Sequence, residues 1–404
     1  NYPYPVAWSI NAANIGMEYP MICFNYGRTE EDGSYSERTK YGMISVIIHE
    51  VGHNYFPMTV NSDERQWTWM DEGLNTFLQY LTEQQWERDY PSRRGPAHKI
   101  VDYMSGDKQY ISPIMTNSES VWQLGNNAYG KPAAGLNILR ETILGREEFD
   151  YAFKKYSNRW MFKHPAPADL FRTMEDASGV DLDWFWRGWF FTTDHVDIAL
   201  TNVEPFRINT QNPEVENAVA KEAGDDFQRN ISSIRNREEI AATYDEEDRS
   251  LRDFYTEYDP LETTILDKEE YKRYLASLSD EERAVLAADK YYYELSFENK
   301  GGMLMPLILK FTFADGTSEI QRIPAEIWRR NYTEVTKVFP FTKEVTDIEL
   351  DPMLETADTD RSNNYYPSRT QESRFDLYKR RGFGGGENPM QRDRRAKEKE
   401  GSNR

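Results

Sequence analysis

The chain has a single cysteine, Cys23, in 404 residues, so it forms no internal disulfide and no cysteine-based zinc site. No apolar run approaches the roughly 18 residues that a membrane-crossing helix needs. Basic residues are outnumbered, 49 Lys plus Arg against 69 Asp plus Glu, for a formal charge of −20. That balance disfavours nucleic acid as the main partner, because phosphate binding calls for clustered cations. There is no basic-then-apolar leader, and the first residue is Asn1, so the sequence reads as a piece of something longer. Histidine is scarce, at five. Aromatic residues are not: 10 Trp, 26 Tyr and 20 Phe supply enough burial energy to exclude wholesale disorder. The length predicts two or three domains.

Up to about Asp194 the pattern is strands followed by helices. Short apolar runs at 7–10 and 21–25 suit strands. Residues 41–56 are apolar almost all round, as in a buried helix. A second helix is expected from about 71 to 86, stopped by Pro91, and others at 132–143, 146–160, 168–177 and 182–190. Gly179 stands where a helix end needs positive φ. Beyond Val196 comes one strand and then a charged stretch, about 204–290, with little strand character. Within it Ser279 and Glu282 form a capping box, and Asp267 is expected to cap the preceding helix. Strand alternation resumes from Tyr291, with a hairpin turn at Asp315-Gly316. The expected fold class is α+β: a mainly helical domain over 1–195, a β-sandwich over 196–367 carrying a helical insertion near 204–290, and a solvated tail over 368–404.

His49-Glu50-Val51-Gly52-His53 carries the chemistry. Residues four apart lie on one helix face, so both imidazoles can reach one ion. Glu50 falls about 100° round the helix, beside the metal, where a carboxylate can take a proton from the attacking water. Either histidine alone reads as an ordinary core residue. The pair with its glutamate does not, since this composition yields roughly one accidental match per couple of hundred such chains. A catalytic zinc takes three protein ligands and leaves one position open. Glu72, 19 residues after His53 on the next expected helix, supplies the third. Two histidines and one glutamate make a metallopeptidase ligand set.

The stretch from His49 to Tyr80 resembles the gluzincin aminopeptidases, the aminopeptidase N-like family. There the third ligand follows within a Trp-x-x-Glu-Gly-type motif, here Trp69-Met70-Asp71-Glu72-Gly73. Gly16-Met17-Glu18-Tyr19-Pro20 resembles the family's exopeptidase motif, usually Gly-x-Met-Glu-Asn. The resemblance implies that Glu18 binds the free α-amine, with Gly16 and Met17 in the same substrate-binding strand. Tyr129-Gly130-Lys131-Pro132-Ala133 is similar to the family's Tyr-Glu-Lys-Gly segment, which implies that Tyr129 stabilises the tetrahedral intermediate. The likeness covers about residues 1–200. It implies a thermolysin-like catalytic domain, one Zn2+ per chain, peptide substrates with a free N-terminus, and a periplasmic or cell-envelope setting.

There are departures from the family pattern. Tyr19 replaces the usual Asn, Tyr55 stands where Trp is common, and Gln79 occupies a position where many members carry an acid supporting a zinc-bound histidine. The family's preceding β-rich domain and sheet strands are expected from an N-terminal segment of the same protein, which is thereby an expected partner of this chain. A catalytically silent, zinc-containing scaffold of an envelope assembly is the alternative. The aromatic run at 184–191 is expected to be core packing, and the acidic run at 245–248 lacks calcium-loop spacing. His98, His164 and His195 are assigned to no metal.

Overall fold

The computed structural model describes residues 2–225, 229–288, 290–369 and 387–402. The chain mixes helix and sheet in two compact units, one made of Asn1–Val203, Leu295–Lys337 and Val345–Arg404, the other of Glu204–Glu294 and Val338–Glu344.

The first unit begins with three short strands, β1 (Trp8–Asn11), β2 (Met17–Tyr19) and β3 (Ile22–Asn25), in the order β1-β3-β2. β1 is parallel to β3 and β2 antiparallel, with Glu18 opposite Cys23. Cys23 is buried. Helix α1 (Glu37–Gly52) starts where Ser36 Oγ accepts the Thr39 N–H at 3.1 Å. Its apolar girth led to the expectation of burial all round, yet only Val46 and Glu50 are buried and Met43 is 36% exposed. α1 packs on β2, β3 and the following helix, and these neighbours cover only part of its circumference.

The next helix was expected as one run from 71. It is instead a π-helical turn, Trp69–Gly73, leading into α2 (Leu74–Trp86). A π turn adds one residue to a helical turn, which a 3.6-residue periodicity does not reveal. The same device recurs at Gly125–Gly130 and Leu139–Ile143, on either side of the wholly buried α4 (Lys131–Ile138), which follows the single-turn α3 (Val101–Met104). α5 (Arg146–Trp160), α6 (Pro167–Ser178) and α7 (Asp183–Phe191) lie within a residue of their expected bounds. Gly179 ends α6 at φ +69°. Phe185, Trp186, Trp189 and Phe190 of α7 are buried, with Trp186 stacked on Phe171 at 4.6 Å, so the aromatic run is core.

The strands that follow are β4 (Ile198–Phe206), β5 (Tyr291–Asn299), β6 (Leu307–Phe313), β7 (Ser318–Ile323), β8 (Glu334–Phe341), β9 (Val345–Leu350) and β10 (Tyr365–Tyr366). They form one sheet in the order β10-β9-β6-β7 and another in the order β4-β5-β8. Gly316, at φ +80°, turns β6 into β7 as Asp315-Gly316 predicted.

The second unit holds α8 (Pro213–Asp225), α9 (Ile231–Glu239), α10 (Tyr244–Glu247), α11 (Phe254–Glu257), α12 (Ile265–Ser277) and α13 (Asp280–Ala287). None of α9 to α13 carries a buried residue, so caps and surface pairs shape these helices more than a core does. Ser279 and Glu282 form the expected box on α13. On α12 the cap is Thr264, and Asp267 reaches back to its N–H at 2.7 Å; Asp267 is the third-residue partner, not the cap. Of the stretch expected as a tail, residues 370–386 lie outside the described residues, whereas α14 (Pro389–Ser402) is helical and carries an i,i+4 Asp393–Lys397 pair at 2.6 Å, and Asn388 just before it donates to Ser34 Oγ at 3.0 Å. Among the described residues no helix is long and apolar enough to cross a membrane.

Candidate active site

α1 supplies His49 and Glu50, its C-cap is His53, and the π turn before α2 supplies Asp71 and Glu72. The close meeting of α1 and α2 depends on Gly52: the Asn75 side chain occupies the space where a Cβ would be. From there Asn75 Nδ2 donates to the His49 carbonyl at 2.8 Å, tying the two helices beside the site.

The three expected ligands converge. His49 Nε2 lies 3.0 Å from Glu72 Oε2, and His53 Nε2 lies 3.1 Å from His49 Nε2 and 3.4 Å from Glu72 Oε2. Donor atoms around one tetrahedral zinc, at bond lengths of about 2.0–2.2 Å, stand roughly 3.3 Å apart, so this set fits that ion. The other ring nitrogens are held from behind. His49 Nδ1 is 2.8 Å from Gln79 Oε1, and Gln79 Nε2 donates to Glu83 Oε1 at 2.7 Å. His53 Nδ1 bonds the Phe56 carbonyl at 2.9 Å and lies 2.8 Å from Asp71 Oδ1, which makes no well-directed hydrogen bond. Both Nε2 atoms are thereby left facing the ligand point.

Burial pushes Glu72 up, but hydrogen bonds from His49 and His53 outweigh it and hold the carboxyl below its usual range. Burial opposes a charge on His53, whereas Asp71 and Glu72 raise it; burial in turn raises Asp71 against the pull of His53. Glu50, 6% exposed, is pushed up to about 7 by burial, with the charges of Glu18 and Glu72 adding and that of His53 opposing. A general base suited to neutral pH sits near that value, and a dication at the ligand point would draw it lower.

The remaining expected residues surround the same point. Gly16 makes room for Glu50: a Cβ there would fall 2.7 Å from Glu50 Oε1 and 2.9 Å from Val46 Cγ2. Glu18, next to the half-buried Met17 on β2, brings a carboxylate oxygen within 4.8 Å of ligating atoms of Glu50 and His53. Tyr129, on the second π turn, donates its hydroxyl to Glu72 Oε1 at 2.6 Å and stacks on the His49 ring at 5.8 Å. Burial, then the Glu72 charge, raises its pKa, so the phenol stays a proton donor. Asp71, Asn75, Glu83 and Arg94 escaped the sequence reading. Asp71 was visible beside Glu72, and Glu83 lies one helical turn beyond Gln79. For Arg94 no local signal existed.

The structure thus brings together a helix carrying His-Glu-x-x-His, a glutamate from the next helix and a further glutamate, Glu18, beside the point where their donor atoms meet. Residues 10–189, 180 of the 404, match the peptidase family M1 domain. The chain is 25% identical over 202 residues to probable aminopeptidase 1 of Sulfurisphaera tokodaii, covering 48% of this chain and 25% of that protein. It is 25% identical over 192 residues to glutamyl aminopeptidase of Sus scrofa, covering 46% and 20%. The chain thus spans about a quarter or less of the length of these curated relatives. A crystal structure of Legionella pneumophila aminopeptidase A overlaps 87% of this chain and 31% of that one, at 11% identity and a TM-score of 0.46.

Proposed function

We propose that the protein is a zinc-dependent aminopeptidase that removes N-terminal residues from peptides. The observation that carries this reading is the convergence of His49 Nε2, His53 Nε2 and Glu72 Oε2 within 3.4 Å of one another, with the Glu50 and Glu18 carboxylates beside them. His49, His53 and Glu72 would hold one Zn2+ per chain; bound there, the ion supplies Lewis acidity that polarises the scissile carbonyl and activates water. Glu50 takes the proton of the attacking water on a carboxylate oxygen and returns it to the leaving amine. The Tyr129 O–H, which rests on Glu72, turns to the carbonyl oxygen as negative charge develops there. Glu18 accepts from the substrate's ammonium group, a charge-assisted bond that admits one residue ahead of the scissile bond, with Gly16 and Met17 shaping the same strand.

The finer architecture belongs to the same proposal: a thermolysin-like helical domain over 1–195 and a β-sandwich over 196–367. The alternating burial along β5 and β6 supports the second. An N-terminal segment of the same protein lying on the first sheet, where Trp8 is 58% exposed beside Ile22, is part of the proposal too. A periplasmic or cell-envelope setting rests on the family resemblance alone.

Metal analysis combined with fluorogenic aminoacyl amides tests the function. The expected result is about one zinc per chain, cleavage of free-amine substrates, and no cleavage of their N-acetylated forms. Glu50→Gln should keep zinc and lose on the order of 10²–10⁴ in kcat. Stoichiometric zinc with no turnover on any substrate would overturn the reading in favour of a zinc-holding scaffold.

A further inference from the structure

The segment between α2 and the Tyr129 turn places a cation that the metal chemistry does not use. Its backbone is held on both sides. Ser92 is buried, donates to Glu83 and accepts from Gln84 Nε2 at 3.1 Å. Gly95, at φ +112°, lies so close to the Tyr80 ring that no side chain fits, and Ala97 and Ile100 are buried beyond it. Arg94 therefore projects from a fixed point.

Its guanidinium carbon lies 4.6 Å from the centroid of the Tyr129 ring. Gly125, one helical turn before Tyr129, leaves room for a terminal nitrogen: a Cβ there would come within 3.4 Å of Nη2. A guanidinium lying over a ring keeps its N–H edge available to an acceptor. Among the described residues, Arg94 makes no ion pair and no hydrogen bond. Other partly buried arginines of the chain do find partners: Arg140 meets Asp150 at 2.7 Å, and Arg322 grips Glu355 through two bonds of 2.8 Å. Burial weighs against the Arg94 charge, and the charges of Tyr129 and Glu72 only partly offset it. A half-buried guanidinium with unfilled donors is costly unless a ligand fills them.

We propose that Arg94 anchors a carboxylate of the peptide substrate, either an acidic side chain or the free C-terminus of a short peptide. This rests on the aminopeptidase reading. The rest of the site, lined by Glu18, Glu50, Asp71 and Glu72, would repel such a substrate, and Arg94 is the cation placed to offset that repulsion. Carboxylate and guanidinium match in a two-bond fork that a lysine does not reproduce.

The experiment compares the zinc-loaded protein with its Arg94→Ala and Arg94→Lys variants on glutamyl, glutaminyl and alanyl fluorogenic amides, and on Ala-Ala against Ala-Ala-amide. The expected result is that Arg94→Ala lowers the kcat/KM ratio of one carboxylate-bearing substrate to its amide counterpart by roughly 10–100-fold, chiefly through KM. Arg94→Lys should recover only part of it. A fall in the glutamyl-to-glutaminyl ratio assigns the side chain, and a fall in the Ala-Ala ratio assigns the C-terminus. An equal loss across all substrates, in kcat, would overturn the proposal and leave Arg94 a positioning residue for Tyr129. Calorimetric binding of L-aspartate against L-asparagine reads the site without turnover. Preference for aspartate that disappears in Arg94→Ala upholds the anchor even if no substrate is cleaved, the outcome that would sink the aminopeptidase reading. No preference in the parent protein, on either readout, sinks the anchor itself.

Discussion

Gln79 donates its amide nitrogen to the buried carboxylate of Glu83 at 2.7 Å, and this orients the amide oxygen toward His49 Nδ1, 2.8 Å away. Glu83, 2% exposed, also accepts from the hydroxyls of Ser45 and Ser92, so its oxygens are filled by donors. An amide whose nitrogen is claimed by such a group cannot flip. Its oxygen then demands a proton on Nδ1 of His49, which leaves the Nε2 lone pair for the metal. The carboxylate of Glu83 thus acts on His49 through the Gln79 amide, which stands between them.

The consequence can be measured as zinc affinity. Gln79→Leu should weaken zinc binding by about 10–100-fold in a chelator competition. Glu83→Gln should weaken it less, because the amide at 79 regains freedom to turn, while Gln79→Glu should restore a direct carboxylate support. Unchanged affinity in Gln79→Leu would show that His49 needs no such partner.

Gly16 gives a second prediction, on rate and not on metal. A methyl group at this position would press on Glu50 Oε1 at 2.7 Å and on Val46 Cγ2 at 2.9 Å, and the carboxylate is the part free to yield. A general base displaced by a fraction of an ångström to 1 Å loses up to about 10²-fold in rate. Gly16→Ala should therefore lower kcat by about 10–100-fold with zinc content intact. Full activity would mean that Glu50 works from a different rotamer.

Much of this site was legible because it rests on helix periodicity: His49, Glu50 and His53 share one helix, and Glu72 opens the next. What was not legible depends on contacts across elements. The Gln79–Glu83 pair follows one helix face, but its role appears only when α1 sets His49 against it. Arg94 reaches Tyr129 through a loop whose course turns on the positive φ of Gly95. The π turns at Trp69–Gly73 and Gly125–Gly130, which carry Glu72 and Tyr129, each hide an extra residue inside an apolar pattern that reads as ordinary helix. In the strand region the hairpin at Asp315-Gly316 was plain from turn chemistry. The exposure of α1 was not, since an apolar surface in a sequence says nothing about which neighbours cover it.

The last prediction concerns stability away from the metal. Asp358 is 5% exposed and accepts from the Asp360 N–H at 3.0 Å and from Asn364 Nδ2 at 3.2 Å. It lines a cavity with His98, Asp102, Asp351, Asp360 and Arg361. Burial pushes its carboxyl up to about 7, the charge of Asp197 adding to the shift while the two hydrogen bonds oppose it. The folded chain therefore keeps, between about pH 4 and 7, a proton that the unfolded chain has released. Folding stability from this residue falls as pH rises through that window, by roughly 2–4 kcal/mol in all. Asp358→Asn carries no charge in either state and should abolish the loss. Asn364 Oδ1 has no partner, so the Asn364 amide can turn to accept from the new one. Urea titrations of both proteins should coincide near pH 4 and diverge toward pH 8, with the variant the more stable. A difference that stays constant with pH would mean that Asp358 is ionised throughout, its burial offset by hydrogen bonds.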